Sequence, residues 1–288
     1  MSDDLYSLVE RPELEGPLLI VTLEGWVDAG LGAAAALAAL LGSVSTEVVA
    51  SFDVDSLLDH RARRPVVRIV DGINSGLMWP EIQLRSGRTD DGQDLLFLVG
   101  PEPDHQWRAF CTAVAELAGA FGVQMVVGLG AFPAPVPHTR AARLVATATS
   151  TELAHRVGFI PGTIDVPAGV QAALERQFAE LGVPAVGLWA RVPHYAAAMP
   201  YPEASVVLLD GLQRLTGVSA DTSELRSAAE STRVRLDELV ANSEEHAALV
   251  HQLEAAVDAE SERPFGTTMP SGDELAAELE KYLREENP

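Results

Sequence analysis

A glycine-rich corner near the amino terminus constrains the fold more than any other feature of this chain. An apolar run at residues 18–23 is followed by glycines within residues 25–30, and the small residues at 32–41 then predict a helix. A strand that turns directly into a helix is typical of open α/β sheets, which build their sites at the carboxyl ends of strands. We therefore expect a site near this corner.

Strand-like and helix-like segments alternate up to about residue 217. Apolar runs predict further strands at residues 48–52, 66–70, 95–99, 123–127 and 144–148. Helical periodicity is present at residues 105–121, 168–181 and 204–215. This alternation predicts an α/β protein whose layered sheet has helices on both faces.

The composition changes after Gly217. Residues 218–288 contain 17 acidic and 6 basic side chains, which give half of the formal net charge of −22. Five apolar side chains there follow a three-four spacing: Leu236, Leu239, Val250, Leu253 and Val257. The spacing predicts one long amphipathic helix, although Ser243 and His246 interrupt its apolar stripe. We expect a core domain at 1–217 and an acidic helical extension at 218–288, packed on its own core or on a neighbouring subunit.

Charge and hydropathy exclude several classes of partner. The acidic excess, with Lys281 as the single lysine, would repel a phosphate backbone, so nucleic acid is not an expected partner. The longest apolar stretch, at residues 31–41, is too short to cross a bilayer, so no membrane partner is expected. Residues 1–6 lack the pattern of a secretory signal, which predicts a cytoplasmic protein.

No cofactor motif is present. Gly25, Gly30 and Gly32 do not have the spacing of a dinucleotide-binding fingerprint, although Asp53 follows about 20 residues later. Cys111 is the only cysteine, and its place on a helix-period apolar face predicts a buried packing thiol. No cofactor and no metal ion are therefore predicted.

Glu24 and Asp28 flank the corner, where a carboxylate could hold a substrate hydroxyl, a cation or an arginine. Asp28 could instead cap the helix that starts near Gly30, and this interpretation is favoured because helix-initiating amides need an acceptor. Glu24 follows apolar positions that are expected to be buried, and a buried carboxylate is costly without a partner. We therefore predict that Glu24 is paired.

Three prolines stiffen the segment at residues 131–140, which is predicted to be a loop. In an enzyme, His138 could transfer a proton and Arg140 could hold a carboxylate or phosphate. The favoured alternative is structural, with Arg140 paired to Glu24 or Asp165.

Asp165 and His194 each follow a proline-marked turn near a predicted strand end. Both are candidate site residues, but a loop histidine beside a proline often only hydrogen-bonds a backbone carbonyl. A metal site built from His138, Asp165 and His194 is not favoured, because their spacing fits no short metal-binding motif.

Four segments together carry a resemblance to a known family: residues 25–30, 128–140, 161–167 and 192–195. Their sequences, GWVDAG, GLG running into PHTR, PGTIDVP and VPHY, are similar as a set to the proteasome assembly chaperone 2 family in its actinobacterial branch. The resemblance spans roughly residues 18–215. It implies a three-layer α/β/α sandwich resembling the phosphorylase/hydrolase-like fold, a homo-oligomer with a trimer preferred, and the proteasome core particle as a possible partner.

The family's binding to proteasomes uses a carboxyl-terminal hydrophobic-Tyr-any residue signature. Here Tyr282 is followed by six residues, so this docking motif is not expected to operate. A loop at residues 263–270 and a final helix that begins near Ser271 and ends near Arg284 are expected before the end of the chain.

Two hypotheses for function follow. The first is an oligomeric assembly or interaction protein to which no catalytic activity is assigned. The alternative is a hydrolase or phosphorylase-like enzyme that acts on a small polar metabolite in a strand-end pocket. Its candidate residues are Glu24, Asp28, His138, Arg140, Asp165 and His194.

Overall fold

The structure is a computed structural model, and it describes residues 5–25 and 27–262. Ten strands lie in this part of the chain: β1 (Tyr6–Leu8), β2 (Leu18–Glu24), β3 (Thr46–Phe52), β4 (Val66–Val70), β5 (Ile73–Met78), β6 (Gln83–Arg88), β7 (Asp94–Pro101), β8 (Met125–Ala134), β9 (Leu144–Ala148) and β10 (Ala185–Pro193). Eight α-helices accompany them: α1 (Gly32–Ser43), α2 (Val54–Leu57), α3 (Trp107–Ala120), α4 (Thr151–Val157), α5 (Val170–Glu180), α6 (Pro202–Thr216), α7 (Ser223–Ala241) and α8 (Glu244–Glu262). The helix expected after residue 270 lies outside the described residues.

Eight strands form one mixed sheet in the order β1-β3-β6-β7-β2-β8-β10-β9. The four central strands, from β7 to β10, run parallel, whereas the strands on either side pair antiparallel. All four parallel strands therefore end at the same edge of the sheet. This edge is where an open α/β sheet places its site.

Helices cover both faces of the sheet, which confirms the predicted three-layer α/β/α sandwich. One apolar cluster packs α3 and α5 against one face through side chains such as Phe110 and Phe178. The other packs α1 and α6 against the opposite face through Leu40 and Leu208. Cys111 is buried in the first cluster, as predicted, and burial raises its thiol pKa to about 11.

Small residues let α1 approach α6 closely. A Cβ atom at Gly32 would lie 2.8 Å from the Cβ of Ala204, and the Ser205 hydroxyl donates a 2.9 Å hydrogen bond to the Gly32 carbonyl. Gly30 has a φ of 66°, and a side chain there would collide with Tyr201. The glycine-rich corner is therefore required by helix packing as well as by the turn.

Two predicted segments differ from the structure. Val66–Val70 does not join the main sheet but pairs with Ile73–Met78 in a separate two-stranded ribbon. The loop predicted at residues 131–140 is a strand as far as Ala134, because β8 stays paired with β10 along its whole length. Prolines had suggested a loop, but a strand that lacks a neighbour on one side accepts proline at its open edge.

The predicted single long helix in 218–288 is two helices, α7 and α8, which contact each other, and α7 packs on α6. The chain breaks at Asn242 and Ser243, where the Ser243 hydroxyl accepts a hydrogen bond from the His246 amide. A serine at this position favours a helix start over a helix interior. The polar residue that interrupts the apolar stripe thus ends one helix and begins the next. No helix of residues 5–25 and 27–262 is long and apolar enough to cross a membrane.

Candidate functional site

A crevice opens where the sheet splits between β2 and β8. The two strands pair only as far as Val21 and Gly128. Beyond that point β2 continues to Glu24 beside β7, and β8 continues beside β10. The segment after β2 pairs with β8 again at an isolated parallel β-bridge between Asp28 and Ala131. We refer to the gap between these two points as the crevice, which has a cavity of about 120 Å³.

Both layers of helices contribute walls to the crevice. Residues of β8 and β2 line the crevice from its two sides: Leu129 and Gly130, and Thr22, Leu23 and Glu24. Leu37 of α1 and Gln171 of α5 complete the walls. Trp189 packs against Gly130, where a Cβ atom would lie 2.3 Å from the indole ring. Glycine at this position therefore lets the indole lie against β8 and form part of the wall.

Two helices begin at the crevice, and a carboxylate already occupies each amino terminus. Asp28 accepts hydrogen bonds from the Ala33 and Ala34 amides at 2.7 and 2.9 Å, so it caps α1 as predicted. Glu102 accepts a hydrogen bond from the Val170 amide of α5. Free helix amino termini bind phosphate, but these are filled by acidic groups of the chain itself. The crevice therefore repels anions.

Burial raises the pKa of Asp28, and its hydrogen bonds from α1 oppose that shift only in part. The shift reflects the cost of holding a carboxylate in a partly apolar cavity. Glu24 lies at the same end of β2 and lines the crevice, but it is exposed. Among the described residues it forms no ion pair and no side-chain hydrogen bond. The predicted pairing of Glu24 is therefore not present among the described residues, because solvent reaches the end of β2.

Two polar atoms at the crevice lack partners within the described part of the chain. They are the Thr22 hydroxyl and the Gln171 side-chain nitrogen. Thr22 is only 6% exposed, so its hydroxyl is cut off from bulk water. Sequence reasoning missed both residues and Glu102 as well. One signal was available for Thr22, which is the single polar residue in the run at 18–23.

A second group of candidate residues lies at the end of β8, where α7 and α8 hold it in place. The Arg140 guanidinium bonds both carboxylate oxygens of Asp258 at 2.9 and 2.8 Å and Glu254 at 2.9 Å. The Thr139 hydroxyl donates to Glu254 at 2.5 Å. We call residues 138–140 with their partners on α7 and α8 the clamp. The predicted pairing of Arg140 with Glu24 or Asp165 was therefore wrong.

His138 is the buried centre of the clamp, with a side chain only 1% exposed. Its Nδ1 lies 2.7 Å from the Tyr195 hydroxyl, and its Nε2 lies 3.2 Å from an oxygen of Asp237 on α7. The His138 amide also donates to the Tyr195 hydroxyl at 2.9 Å. If that hydroxyl donates to Nδ1, Nε2 carries the proton and donates to Asp237, so every group is satisfied. This arrangement indicates a structural histidine.

The remaining candidates take part in neither group. Asp165 is exposed in the irregular segment before α5, and His194 is exposed, with its ring edge-on to Tyr195 at 5.4 Å. Within residues 5–25 and 27–262, no three His, Cys, Asp or Glu side chains are grouped to hold a metal ion. The structure thus places two of the six sequence candidates at the crevice, two in the clamp and two at exposed positions outside both groups.

An apolar ribbon formed by β4 and β5 rises from the same end of the sheet as the crevice. All eleven residues of the two strands are exposed, among them Val66 at 59%, Ile69 at 63% and Ile73 at 69%. Asp71 and Gly72 join the strands with positive φ angles, as a two-residue hairpin requires. This Asp-Gly pair between two apolar runs was a readable signal for the hairpin that sequence analysis missed.

Comparison with known proteins gives a consistent family assignment. A sequence model described as the PAC2 family matches residues 22–240. A protein of unknown function from Corynebacterium glutamicum is 32% identical, with a TM-score of 0.83 over 90% of this chain and 99% of that one. A proteasome-assembly chaperone homologue from Mycobacterium tuberculosis is 31% identical, with a TM-score of 0.75 over 81% of this chain and 99% of that one.

More distant similarity extends to archaea. An archaeal proteasome activator from Pyrococcus furiosus is 17% identical, with a TM-score of 0.64 over 81% of this chain and 97% of that one, and so shares the fold. No curated protein matches the chain.

Proposed function

This chain belongs to the PAC2 family, and on that premise we propose that it is an oligomeric assembly protein that binds protein subunits and catalyses no reaction. The similar Mycobacterium tuberculosis protein is described as a proteasome-assembly chaperone homologue. We extend that role to this chain, with the proteasome core particle as the partner. We also propose a homo-oligomer, preferably a trimer, with residues 1–217 as the core domain and 218–288 as an acidic helical extension.

The observation that supports this proposal most strongly is the exposed β4–β5 ribbon. An isolated two-stranded hairpin is at best marginally stable in water, and this one covers neither face with its own core. Each large apolar side chain that stays exposed forgoes roughly 1.5–3 kcal/mol of burial free energy. A monomer rarely exposes a contiguous apolar surface of this kind unless another molecule covers it.

We propose that a second copy of this chain covers the ribbon. The protein has a net charge of −22, so most of its surface would repel a second copy. Arg68 and Asp71 are the only charged residues between positions 66 and 79, and their charges cancel. The ribbon is therefore a surface on which two copies can meet without electrostatic repulsion.

The mass of the protein in solution tests this proposal. We expect the full-length chain to elute as a homo-oligomer in size-exclusion chromatography with light scattering. The Ile69→Asp, Ile73→Asp double variant should elute as a folded monomer. Val234→Asp is the matched control, because Val234 is an exposed apolar residue on α7. A monomeric wild-type protein, or a double variant with the wild-type mass, would contradict the proposal.

The proteasome role needs a separate test. Tagged full-length protein and a version ending at residue 217 would be incubated with purified proteasome α-subunits and recovered. Retention of the α-subunits supports the chaperone role. The shorter version lacks the α7 and α8 partners of residues 138–140, so its thermal unfolding would be measured as well. Retention by the full-length protein alone places the contact in residues 218–288 if the shorter version is folded. Failure of both versions to retain α-subunits would reject the proteasome as partner.

The crevice favours a second candidate function, a hydrolase that acts on a small polar metabolite. It lies at the carboxyl ends of the central strands and contains carboxylates at Glu24 and Asp28. The carboxylates at the amino termini of α1 and α5 argue against a phosphorylase, because they would repel a phosphate group there. Turnover of a metabolite that Glu24→Gln abolishes without changing the fold would favour the enzyme over the assembly protein.

A further inference from the structure

We propose that the crevice between β2 and β8 binds a small organic molecule that carries a positively charged amine next to a hydrogen-bonding oxygen. This inference is independent of the assembly role, since the crevice lies beside β2 and β8 and the ribbon is built from β4 and β5. It also holds whether or not the bound molecule reacts.

The buried Thr22 hydroxyl shows that the crevice needs a polar occupant. Thr22 is the first residue of β2 beyond the last pair with β8, so the splitting of the strands uncovers its surroundings. Its hydroxyl is buried without a partner and lines the cavity. Buried polar groups in proteins are nearly always hydrogen-bonded, and an unsatisfied one indicates a missing partner. A ligand oxygen or nitrogen at this position would supply it.

The Gln171 side-chain nitrogen is a second buried polar atom without a hydrogen-bond partner among the described residues. It lies over the glycine-lined part of β8 and β10, where Cβ atoms at Gly128 and Gly187 would crowd it at 2.2 and 3.2 Å. An amide nitrogen can only donate, so its missing partner is an acceptor oxygen. The ligand therefore needs an oxygen as well as a donor group.

The charges around the crevice select a cation. Glu24, Asp28 and Glu102 line the cavity, and the described residues around it include no lysine, arginine or histidine. Each carboxylate can accept more hydrogen bonds than it makes here, so acceptor positions remain for ligand N–H groups. The indole of Trp189 adds an aromatic wall, a surface that also attracts a positive charge.

A bare metal ion does not meet the same requirements. The described acidic groups are not clustered closely enough to form a metal site. Carboxylate oxygens of Asp28 and Glu102 also accept hydrogen bonds from the amides of α1 and α5, which leaves fewer positions for a metal ion. An ammonium group on a short carbon chain can reach separated carboxylates while its carbons contact Leu23 and Leu129. The cavity of about 120 Å³ limits the ligand to a few non-hydrogen atoms.

Isothermal titration of the full-length protein with three molecules of matched size tests the inference. Ethanolamine carries an ammonium and a hydroxyl, ethylene glycol keeps the hydroxyl without charge, and glycolate replaces the cation by an anion. We expect saturable binding of ethanolamine with a dissociation constant of about 1 mM, as suits so small a ligand. Ethylene glycol should bind at least roughly tenfold more weakly, and glycolate should not bind.

Two variants locate the binding. Glu24→Gln removes one charge at an exposed position and should weaken ethanolamine binding roughly tenfold. Thr22→Val keeps the side-chain shape but removes the hydroxyl, and should weaken it at least about threefold. Glu238→Gln on α7 is the control and should bind as the wild type does. Thermal unfolding midpoints would confirm that all three variants are folded.

Several outcomes would overturn the inference. They are the absence of saturable ethanolamine binding up to roughly 10 mM, glycolate binding as tightly as ethanolamine, and wild-type affinity in both Glu24→Gln and Thr22→Val. Absence of binding would mean that ordered water alone satisfies Thr22 and Gln171.

Discussion

The carboxyl ends of β2 and β8 lie in the same sheet, yet the polar side chains near the two ends differ in whether they have hydrogen-bond and ion-pair partners. At the clamp, after β8, His138, Thr139 and Arg140 each have partners supplied by α7, α8 or Tyr195. At the crevice, in the last residues of β2, the side chains of Thr22 and Glu24 have none among the described residues. The comparison shows that polar residues at one edge of a sheet can have different roles. Those of the clamp stabilise the fold, whereas those of the crevice remain available to a ligand.

Distance along the chain explains why the two regions differ. The clamp depends on helices that follow the core in sequence, and Arg140 contacts a residue 118 positions later. Among the described residues no helix from this later part of the chain covers the crevice, where acidic groups of β2, the β2–α1 loop and the β7–α3 loop line a common cavity. The acidic composition of 218–288 therefore has a specific structural use, since Asp237, Glu254 and Asp258 neutralise or bond residues 138–140.

The largest expected effect comes from His138→Ala in the clamp. The change removes a buried ring and leaves the Tyr195 hydroxyl and Asp237 without their shared partner. We expect a loss of roughly 2–4 kcal/mol in the free energy of unfolding, measured by chemical denaturation. The control is His194→Ala at an exposed position, which should change stability by less than about 0.5 kcal/mol. Equal losses in the two variants would show that the clamp is not structural.

An intermediate effect is expected from Asp28→Ala in the crevice. The variant removes the cap of α1 and should cost about 1 kcal/mol of unfolding free energy in the same denaturation assay. Asp28→Asn keeps an acceptor oxygen, so it should lose less. Asp165→Ala, in an exposed loop, serves as the control for removing a carboxylate. If Asp28→Ala were as stable as the wild type, the carboxylate would not act as a cap.

The smallest effect is a difference in the pH dependence of the two regions. The hydrogen bond from Thr139 lowers the pKa of Glu254, and that from Arg140 lowers the pKa of Asp258. Their stabilisation is present above their unfolded-state pKa values and is lost as the pH falls through the folded values. Burial raises the pKa of Asp28, so its contribution is largest below its unfolded pKa and is lost as the pH rises through the folded value.

Unfolding midpoints measured from pH 7 down to about pH 3 would check these signs. Asp258→Asn should make the loss of stability in acid less steep, because one carboxylate that must be protonated is gone. Asp28→Asn should make it steeper, because a group that favours the folded state in acid is gone. A change of the same sign in both variants would contradict the opposite electrostatic environments of clamp and crevice.

Local patterns in the sequence predicted much of the architecture. The run at 18–23 and the small residues at 32–41 correspond to β2 and α1, and the role of Asp28 as the α1 cap followed from helix-end chemistry. The alternation of strands and helices predicted a sheet with helices on both faces, and the family resemblance implied the three-layer sandwich. These features depend on residues within a few turns of one another, which is the range over which periodicity and capping operate.

Long-range features could not be predicted in the same way. The acidic partner of Arg140 had to be chosen among many carboxylates, and the true partners lie on α8. The crevice depends on where β2 and β8 stop pairing, and no local pattern marks that register. The six candidate residues were chosen because they end strands or follow prolines, and only the packing of α7 and α8 separates the clamp from the crevice.

Hydrogen exchange of the β4–β5 ribbon, followed by mass spectrometry as the protein is diluted, tests the proposed assembly role most directly. If a second copy covers the ribbon, amides within Val66–Val70 and Ile73–Met78 should exchange slowly in the oligomer. They should lose that protection on dilution and in the Ile69→Asp, Ile73→Asp variant. Rapid exchange at every concentration, at the rate of a solvent-exposed hairpin, would contradict the proposal that subunits assemble through this surface.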